Sequence, residues 1–231
     1  NWNYDKKIVK NYLNCIKNSG IQVVEIGFRF KKKEKFLGKF AYSNEKFLNS
    51  LNLPEGIKYA VMINAKEFIG NEDLLKKFFI KRNLSKVKIV RVAVNISDYF
   101  YCKKICLFLK RNGYFVGLNL MQSHDLDKKN YKKICLDIKK WGLVDILYFA
   151  DSLGCMNNQD IKLISRVLVD NFRGSVGIHA HNNKSLALSN TLTAIEEGVN
   201  WFDSTITGMG RGAGNTETEH LSTECNLKKI L

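Results

Sequence analysis

The 231-residue sequence places His179-Ala180-His181 at the end of a β-type run, V-G-I-H-A-H. Side chains at i and i+2 of a strand share one face, so both imidazoles point the same way. Two imidazoles converging at a strand end form a nitrogen donor pair for a divalent cation. A helix-period stretch from about 185 to 197 follows, closed by Gly198, and a short strand then ends at Asp203. Beyond it a loop with glycines at 208, 210, 212 and 214 delivers Asn215. His179 and His181 are thus candidate metal ligands, with Asn215 as a third or outer one. Asn215 has a second reading, as a loop residue tolerating left-handed backbone between Gly214 and Thr216.

Other polar residues sit where a strand buried on both faces should be apolar. Glu25 lies in V-V-E-I-G-F, Arg91 in I-V-R-V-A-V and Asn119 in G-L-N-L-M-Q, while Asp151 and Ser152 close Y-F-A-D-S. Taken singly, Glu25 or Asn119 reads equally well as a satisfied buried polar group. Recurrence on successive strands favours a polar pocket lined by Glu25, Arg91, Asn119, Asp151, Ser152, the two histidines and Asp203. Arg211 in the glycine loop has two readings, facing an anionic substrate group or decorating the surface. His124 is a candidate general base, set against an exposed loop histidine. The G-M-G-R-G-A-G spacing does not fit a dinucleotide-binding fingerprint, because no helix opens inside it.

These residues are spaced by alternating strand and helix signals. Apolar β-rich runs occur at 23–28, 59–63, 87–94, 115–121, 146–150, 176–181 and 201–205. Helix-period segments lie near 5–18, 44–52, 71–82, 97–112, 127–141, 158–172 and 184–197, with Ser43 or Asn44, Asn71, Ser97 and Asn158 as candidate caps. Short apolar strands between amphipathic helices, 25–35 residues apart, predict a parallel α/β sheet and the repeat of a (β/α)8 barrel, whose catalytic face lies at the strand C-termini. Seven strands are legible. With one proline and no linker-like stretch, residues 1–231 read as one domain.

Composition narrows the functional classes. Thirty-seven basic residues against 22 acidic ones give a net charge of +15. The lysines scatter over a loop, Lys31-Lys32-Lys33, and the outer faces of separate helices, without the interleaved aromatics of a nucleic-acid platform. The charge reads as a solvated surface that helps attract an anionic substrate, not as a nucleic-acid interface. No apolar run approaches the length of a membrane span. The six cysteines show neither C-x-x-C pairs nor a disulfide framework, which fits idle thiols in a reducing cytoplasm.

H-A-H-N-N, S-L-A-L-S-N, F-D-S-T and G-M-G-R-G-A-G-N-T-E-T-E together resemble the signature of the DRE-TIM metallolyases, the HMGL-like group. V-E-I-G-F, R-V-A-V-N, G-L-N-L-M-Q and A-D-S-L-G match in the same order. The resemblance covers essentially the whole chain. It implies a (β/α)8 barrel, a divalent cation (Mn²⁺ or Mg²⁺) and chemistry through an enolate. The glycine loop lacks the cysteine of the lyase branch, and 122–125 lacks the E-D-x-x-R of the synthase branch. The chain is most similar to the aldolase branch, which cleaves 4-hydroxy-2-oxoacids to pyruvate and an aldehyde.

By that resemblance His179 and His181 are metal ligands, Asn215 sits near the metal, and Ser152 helps hold the pyruvate carboxylate. The implied substrate is a small 2-oxoacid; a homo-oligomer and, in full-length relatives, an aldehyde dehydrogenase are the implied protein partners. The family's Arg-Asp-Gly motif belongs on a strand preceding Asn1, so the sequence is expected to lack the first barrel strand. A Claisen-type acyl-CoA condensation and a non-catalytic barrel fragment remain the alternatives.

Overall fold

The computed structural model describes residues 2–225. Seven parallel strands stand side by side in chain order: β1 (Val23–Phe28), β2 (Lys58–Asn64), β3 (Val87–Asn95), β4 (Phe115–Met121), β5 (Ile146–Asp151), β6 (Ser175–Ala180) and β7 (Trp201–Phe202). Helix α1 (Lys6–Ile16) precedes them. After each strand in turn comes α2 (Glu45–Asn49), α3 (Leu75–Phe78), α4 (Lys103–Arg111), α5 (Lys128–Trp141), α6 (Asn158–Asn171), α7 (Ala187–Glu196) and α8 (Thr218–Glu224). Seven parallel strands, each leading into a helix, give the architecture of an incomplete (β/α)8 barrel, one strand short of eight among the described residues. None of the described helices is long and apolar enough to cross a membrane.

Side-chain alternation divides each strand between two environments. Val61 and Ile63 of β2, Val90, Val92 and Val94 of β3, Val116, Leu118 and Leu120 of β4, Leu147 and Phe149 of β5, and Val176 and Ile178 of β6 pack into the apolar core under the helices. Burying each such side chain contributes about 1.5–3 kcal/mol. The opposite parity, facing the barrel interior, carries Glu25, Met62, Arg91, Asn119, Tyr148 and His179, which is where an apolar pattern gives way to a polar one.

Glycines make room for the largest interior groups. Arg91 pairs in register with Gly117, and Tyr148 with Gly177. A Cβ on Gly177 would lie 2.4 Å from the Tyr148 ring, and one on Gly117 would meet Arg91 Cγ at 3.1 Å. In the space so left, the Arg91 guanidinium lies 4.2 Å from the centroid of the Tyr148 ring. From β3 it also reaches Glu25 on β1 and Asp203 beyond β7. The sheet is therefore curled until its first and last strands approach within the span of one side chain.

Helix starts follow the expected chemistry with shifts of a residue. Asp5 accepts from the Lys7 and Ile8 amides, and Asn44 from Phe47. The cap of α6 is Asn157, not Asn158; it forms a reciprocal capping box with Asp160. Neither Asn71 nor Ser97 provides a side-chain cap: Asn71 makes no such bond, and Ser97 falls inside a 3-10 stretch, Ile96–Cys102, that precedes α4. β7 is shorter than the expected 201–205, because after the Asp203 amide bonds the Ile178 carbonyl the chain leaves the sheet and Thr205 bridges to Glu217 instead. α8 carries too short an apolar pattern to have been read from the sequence.

Gly177→Ala is expected to cost about 1–3 kcal/mol, because the added methyl meets a ring fixed on both sides. Gly117→Ala should cost less, since the Arg91 stem can give way. Urea unfolding of both variants checks that order; equal and negligible costs would contradict the steric account.

Candidate functional site

The site is built from the ends of β6 and β7. In a parallel sheet, register neighbours share a face, and the β6–β7 register pairs Gly177 with Trp201 and Ile178 with Phe202. One step further, His179 and Asp203 stand side by side, with His179 Nδ1 2.8 Å from Asp203 Oδ2. The same oxygen accepts from Arg91 Nη2 at 2.5 Å, while Arg91 Nη1 donates to Glu25 at 3.1 Å. Arg91 is only 6% exposed. Burial alone would lower its pKa, but the two carboxylates outweigh it and hold the guanidinium firmly charged.

The two carboxylates respond oppositely to that cation. Burial acts to raise Asp203, yet the charge of Arg91 and the bonds from His179 and Arg91 bring it below the usual value. For Glu25 burial prevails over Arg91 and the pKa is raised. The shorter contact and the second donor, both on Asp203, account for the difference. Tyr148 is raised well above the ordinary phenol value by burial and by the neighbouring Asp203 charge.

His181 lies just past the end of β6, not within it, and forms an isolated antiparallel bridge with Asn215. The His179 and His181 rings have centroids 5.1 Å apart at an interplanar angle of 80°. Burial, helped by electrostatic repulsion from His179 and Arg211, lowers the His181 pKa to about 4. Asn215 is held by its own backbone bond to Gly208 and by Thr216, whose hydroxyl meets Thr191 and the Ala187 carbonyl of α7. Its amide Nδ2 lies 3.1 Å from the Ala180 carbonyl and 3.3 Å from His179 Nε2. The glycine loop permits this approach: a Cβ on Gly210 would sit 1.9 Å from Asn215 Oδ1, and one on Gly214 2.1 Å from the Gly208 carbonyl.

The structure thus brings His179, His181, Asn215, Arg91 and Glu25 together. Ser152 is on the neighbouring strand end, where its hydroxyl accepts from the Gln122 amide at 3.0 Å. Asn119 faces the interior, 3% exposed, with Oδ1 making no hydrogen bond. Asp151 is the exception to the polar ring. It shares the parity of Leu147 and Phe149, on the helix side, and its carboxylate accepts from the Cys155 and Met156 amides that begin the approach to α6. Arg91 commits one hydrogen bond from each terminal nitrogen to a carboxylate, while its buried Nε makes none. Sequence reading did not single out Tyr148, and it left Asp203 without a partner. An aromatic residue paired in register with a glycine on the next strand was the available signal for Tyr148.

Two imidazoles with ring centroids 5.1 Å apart suit a divalent cation, but they fill only part of its coordination shell. Among the described residues no group of three or more His, Cys, Asp or Glu is arranged to hold a metal. Asp203, the nearest carboxylate, is already engaged by Arg91 and His179. Asn215 turns its NH2 toward His179 Nε2, so its oxygen becomes a ligand only if the amide turns over. The buried thiols offer no alternative: burial raises Cys106 to about 12 and Cys135 to about 11.

Arg91→Met is expected to destabilise the fold by about 3–5 kcal/mol, because two carboxylates then stay buried without their cation. Both would take up protons more readily in the folded than in the unfolded state. The variant's deficit relative to the parent should therefore shrink as pH falls from 7 to 5. Urea titrations at the two pH values check this; a deficit that grows on acidification would contradict it.

Comparison with known proteins came out the same way along most of the sequence. The profile of the HMGL-like family matches residues 72–230. A 4-hydroxy-2-oxovalerate aldolase from Carboxydothermus hydrogenoformans is 35% identical over 134 residues, 58% of this chain and 40% of that protein. The protein named 4-hydroxy-2-oxovalerate aldolase 4 from Rhodococcus opacus is 33% identical over 136 residues, 59% of this chain and 39% of its own length. These matches span about two fifths of the curated relatives. The crystal structure of the N-terminal domain of a "putative aldolase" from Bacteroides vulgatus superposes with a TM-score of 0.87 at 29% identity, covering 97% of this chain and 74% of that one. With its seven-strand barrel architecture, its histidine pair at the end of β6 and a family match over more than half its length, the chain belongs to the HMGL-like family.

Proposed function

We propose that this chain forms the catalytic barrel of a divalent-metal-dependent aldolase that cleaves a 4-hydroxy-2-oxoacid to pyruvate and an aldehyde. The observation that carries the reading is the pair His179 and His181, side by side at the C-terminal mouth and backed by Asp203 and Arg91. The relatives named 4-hydroxy-2-oxovalerate aldolases support the choice of reaction.

Aldol cleavage removes a proton from the 4-hydroxyl, breaks the C3–C4 bond and leaves the electron pair on C3 as the enolate of pyruvate. Proton return to C3 completes pyruvate, and the former C4 leaves as the aldehyde carbonyl. His179 and His181 would hold a divalent cation (Mn²⁺ or Mg²⁺), which would supply Lewis acidity toward a bound 2-oxoacid. The chain's own residues provide position and polarity. Ser152 stands at the neighbouring strand end to donate to a substrate carboxylate, and Asn119 Oδ1 offers an acceptor in the buried interior. Arg91, Glu25 and Tyr148 act one layer below, keeping the charged wall behind His179 in place. His124, on the segment after β4, lines a groove of about 390 Å³ with Asn95, Ile96, Gln122, Leu126 and Leu153. It is the candidate to accept the hydroxyl proton.

The test is pyruvate release from 4-hydroxy-2-oxoacids in the presence of Mn²⁺ or Mg²⁺, followed by coupled NADH oxidation with lactate dehydrogenase. His179→Ala and His181→Ala should each lower the rate at least about 10²-fold and weaken metal binding, without unfolding a barrel whose core is apolar elsewhere. Calorimetry showing full metal affinity in His181→Ala, or no pyruvate from any such acid, would remove this function.

A further inference from the structure

Resting on the metal-site reading above, we infer that Asp203 is a positioning residue that fixes the tautomer of His179. It holds the proton on Nδ1 and directs the Nε2 lone pair toward His181 and Asn215.

Two neighbours dictate the same protonation independently. Asp203, an ionised carboxylate, only accepts hydrogen bonds, so the 2.8 Å contact at His179 Nδ1 requires an N–H there. On the other side Asn215 Nδ2 lies 3.3 Å from His179 Nε2, and an amide NH2 only donates. The orientation of that amide is itself set by the Ala180 carbonyl 3.1 Å away, which accepts and never donates. Nε2 is therefore the acceptor, and its lone pair is the one available to a cation. Free neutral imidazole prefers the opposite tautomer, with the proton on Nε2, which would turn an N–H toward the metal position.

Asp203 has its own support. Oδ2 takes the His179 bond and the 2.5 Å bond from Arg91 on a single atom, so the carboxylate cannot rotate away from the imidazole without leaving the guanidinium. Arg91 is fixed in turn by Glu25 and by the face of Tyr148. The chain of contacts runs from β1 and β5 through β3 to β7 and ends on one nitrogen of β6. A carboxylate behind a ligating histidine is a recurrent way to fix ring orientation and raise donor strength, and its loss typically weakens metal binding about 10–100-fold.

The decisive experiment is nitrogen-15 correlation spectroscopy of histidine-labelled, metal-free protein. The wild type should show His179 protonated at Nδ1 and bare at Nε2; a proton on Nε2 would overturn the inference without any substitution. In Asp203→Ala the Nε2–H form should appear, and Mn²⁺ affinity by calorimetry should drop about 10–100-fold. Asp203→Asn places an amide oxygen where Oδ2 was, so it should keep the Nδ1–H form and lose less affinity. That rescue separates positioning from a merely structural role. An Asp203→Ala protein that retains the wild-type tautomer, or binds Mn²⁺ as tightly as wild type while His181→Ala does not, refutes the role of Asp203 and leaves the aldolase reading standing. Loss of the aldolase reading, conversely, leaves the metal-free spectrum as a direct test of the tautomer.

Discussion

A guanidinium inside a barrel is the constraint around which the rest of this molecule is arranged. Arg91 brings a full positive charge into a space lined by Tyr148, Glu25 and Asp203. Removing such a charge from water costs several kcal/mol, a deficit that only close partners offset. The interior meets this with one carboxylate from each end of the sheet and an aromatic face beneath. Because those partners lie on β1, β5 and beyond β7, satisfying one side chain also sets the curvature of the whole sheet. The buried Arg29 solves a similar problem outside the sheet, where Glu45, the Ser43 and Phe78 carbonyls and the Phe79 ring surround it. There the result is loop packing; at Arg91 it is a platform under a histidine.

The histidine pair depends on that platform on one side and on the glycine loop on the other. Asp203 and Arg91 fix His179 from below. The 208–214 loop folds back until Asn215 bridges His181, with the Asn182 amide bonded to the Gly214 carbonyl. A side chain at 210 would collide with the Asn215 amide, and one at 214 with the Gly208 carbonyl. Rigidity here comes from close backbone contact more than from apolar burial, which suits a site that must stay open to a small polar ligand.

Much of this was legible in the sequence because strand periodicity is strict. The parity that put His179 and His181 on one face also placed Glu25, Arg91 and Asn119 toward the interior. The same parity, followed one residue further along β5, assigns Asp151 to the helix side, where its carboxylate caps the turn before α6. Proximity to Ser152 had concealed that alternation. The contact between His179 and Asp203 was less visible, because it depends on the β6–β7 register, and β7 has only two residues to declare it. Partner choice by Arg91 was hidden for a similar reason. An arginine's reach spans strands far apart in sequence, and no local pattern records which carboxylates it meets.

The contact between Tyr148 and Gly177 carries a consequence for how this barrel can vary. A ring on one strand occupies the volume that any side chain on the next would need. Neither position can change alone: a larger residue at 177 demands a smaller one at 148, and a smaller one at 148 opens a void beside a buried charge. The two sites form a single heritable unit, and a chain that drifted at one would have to pass through a strained or hollow intermediate. Substitution is therefore sterically freer in the loops above than in the layer below, where a change at one position calls for a matching change at another.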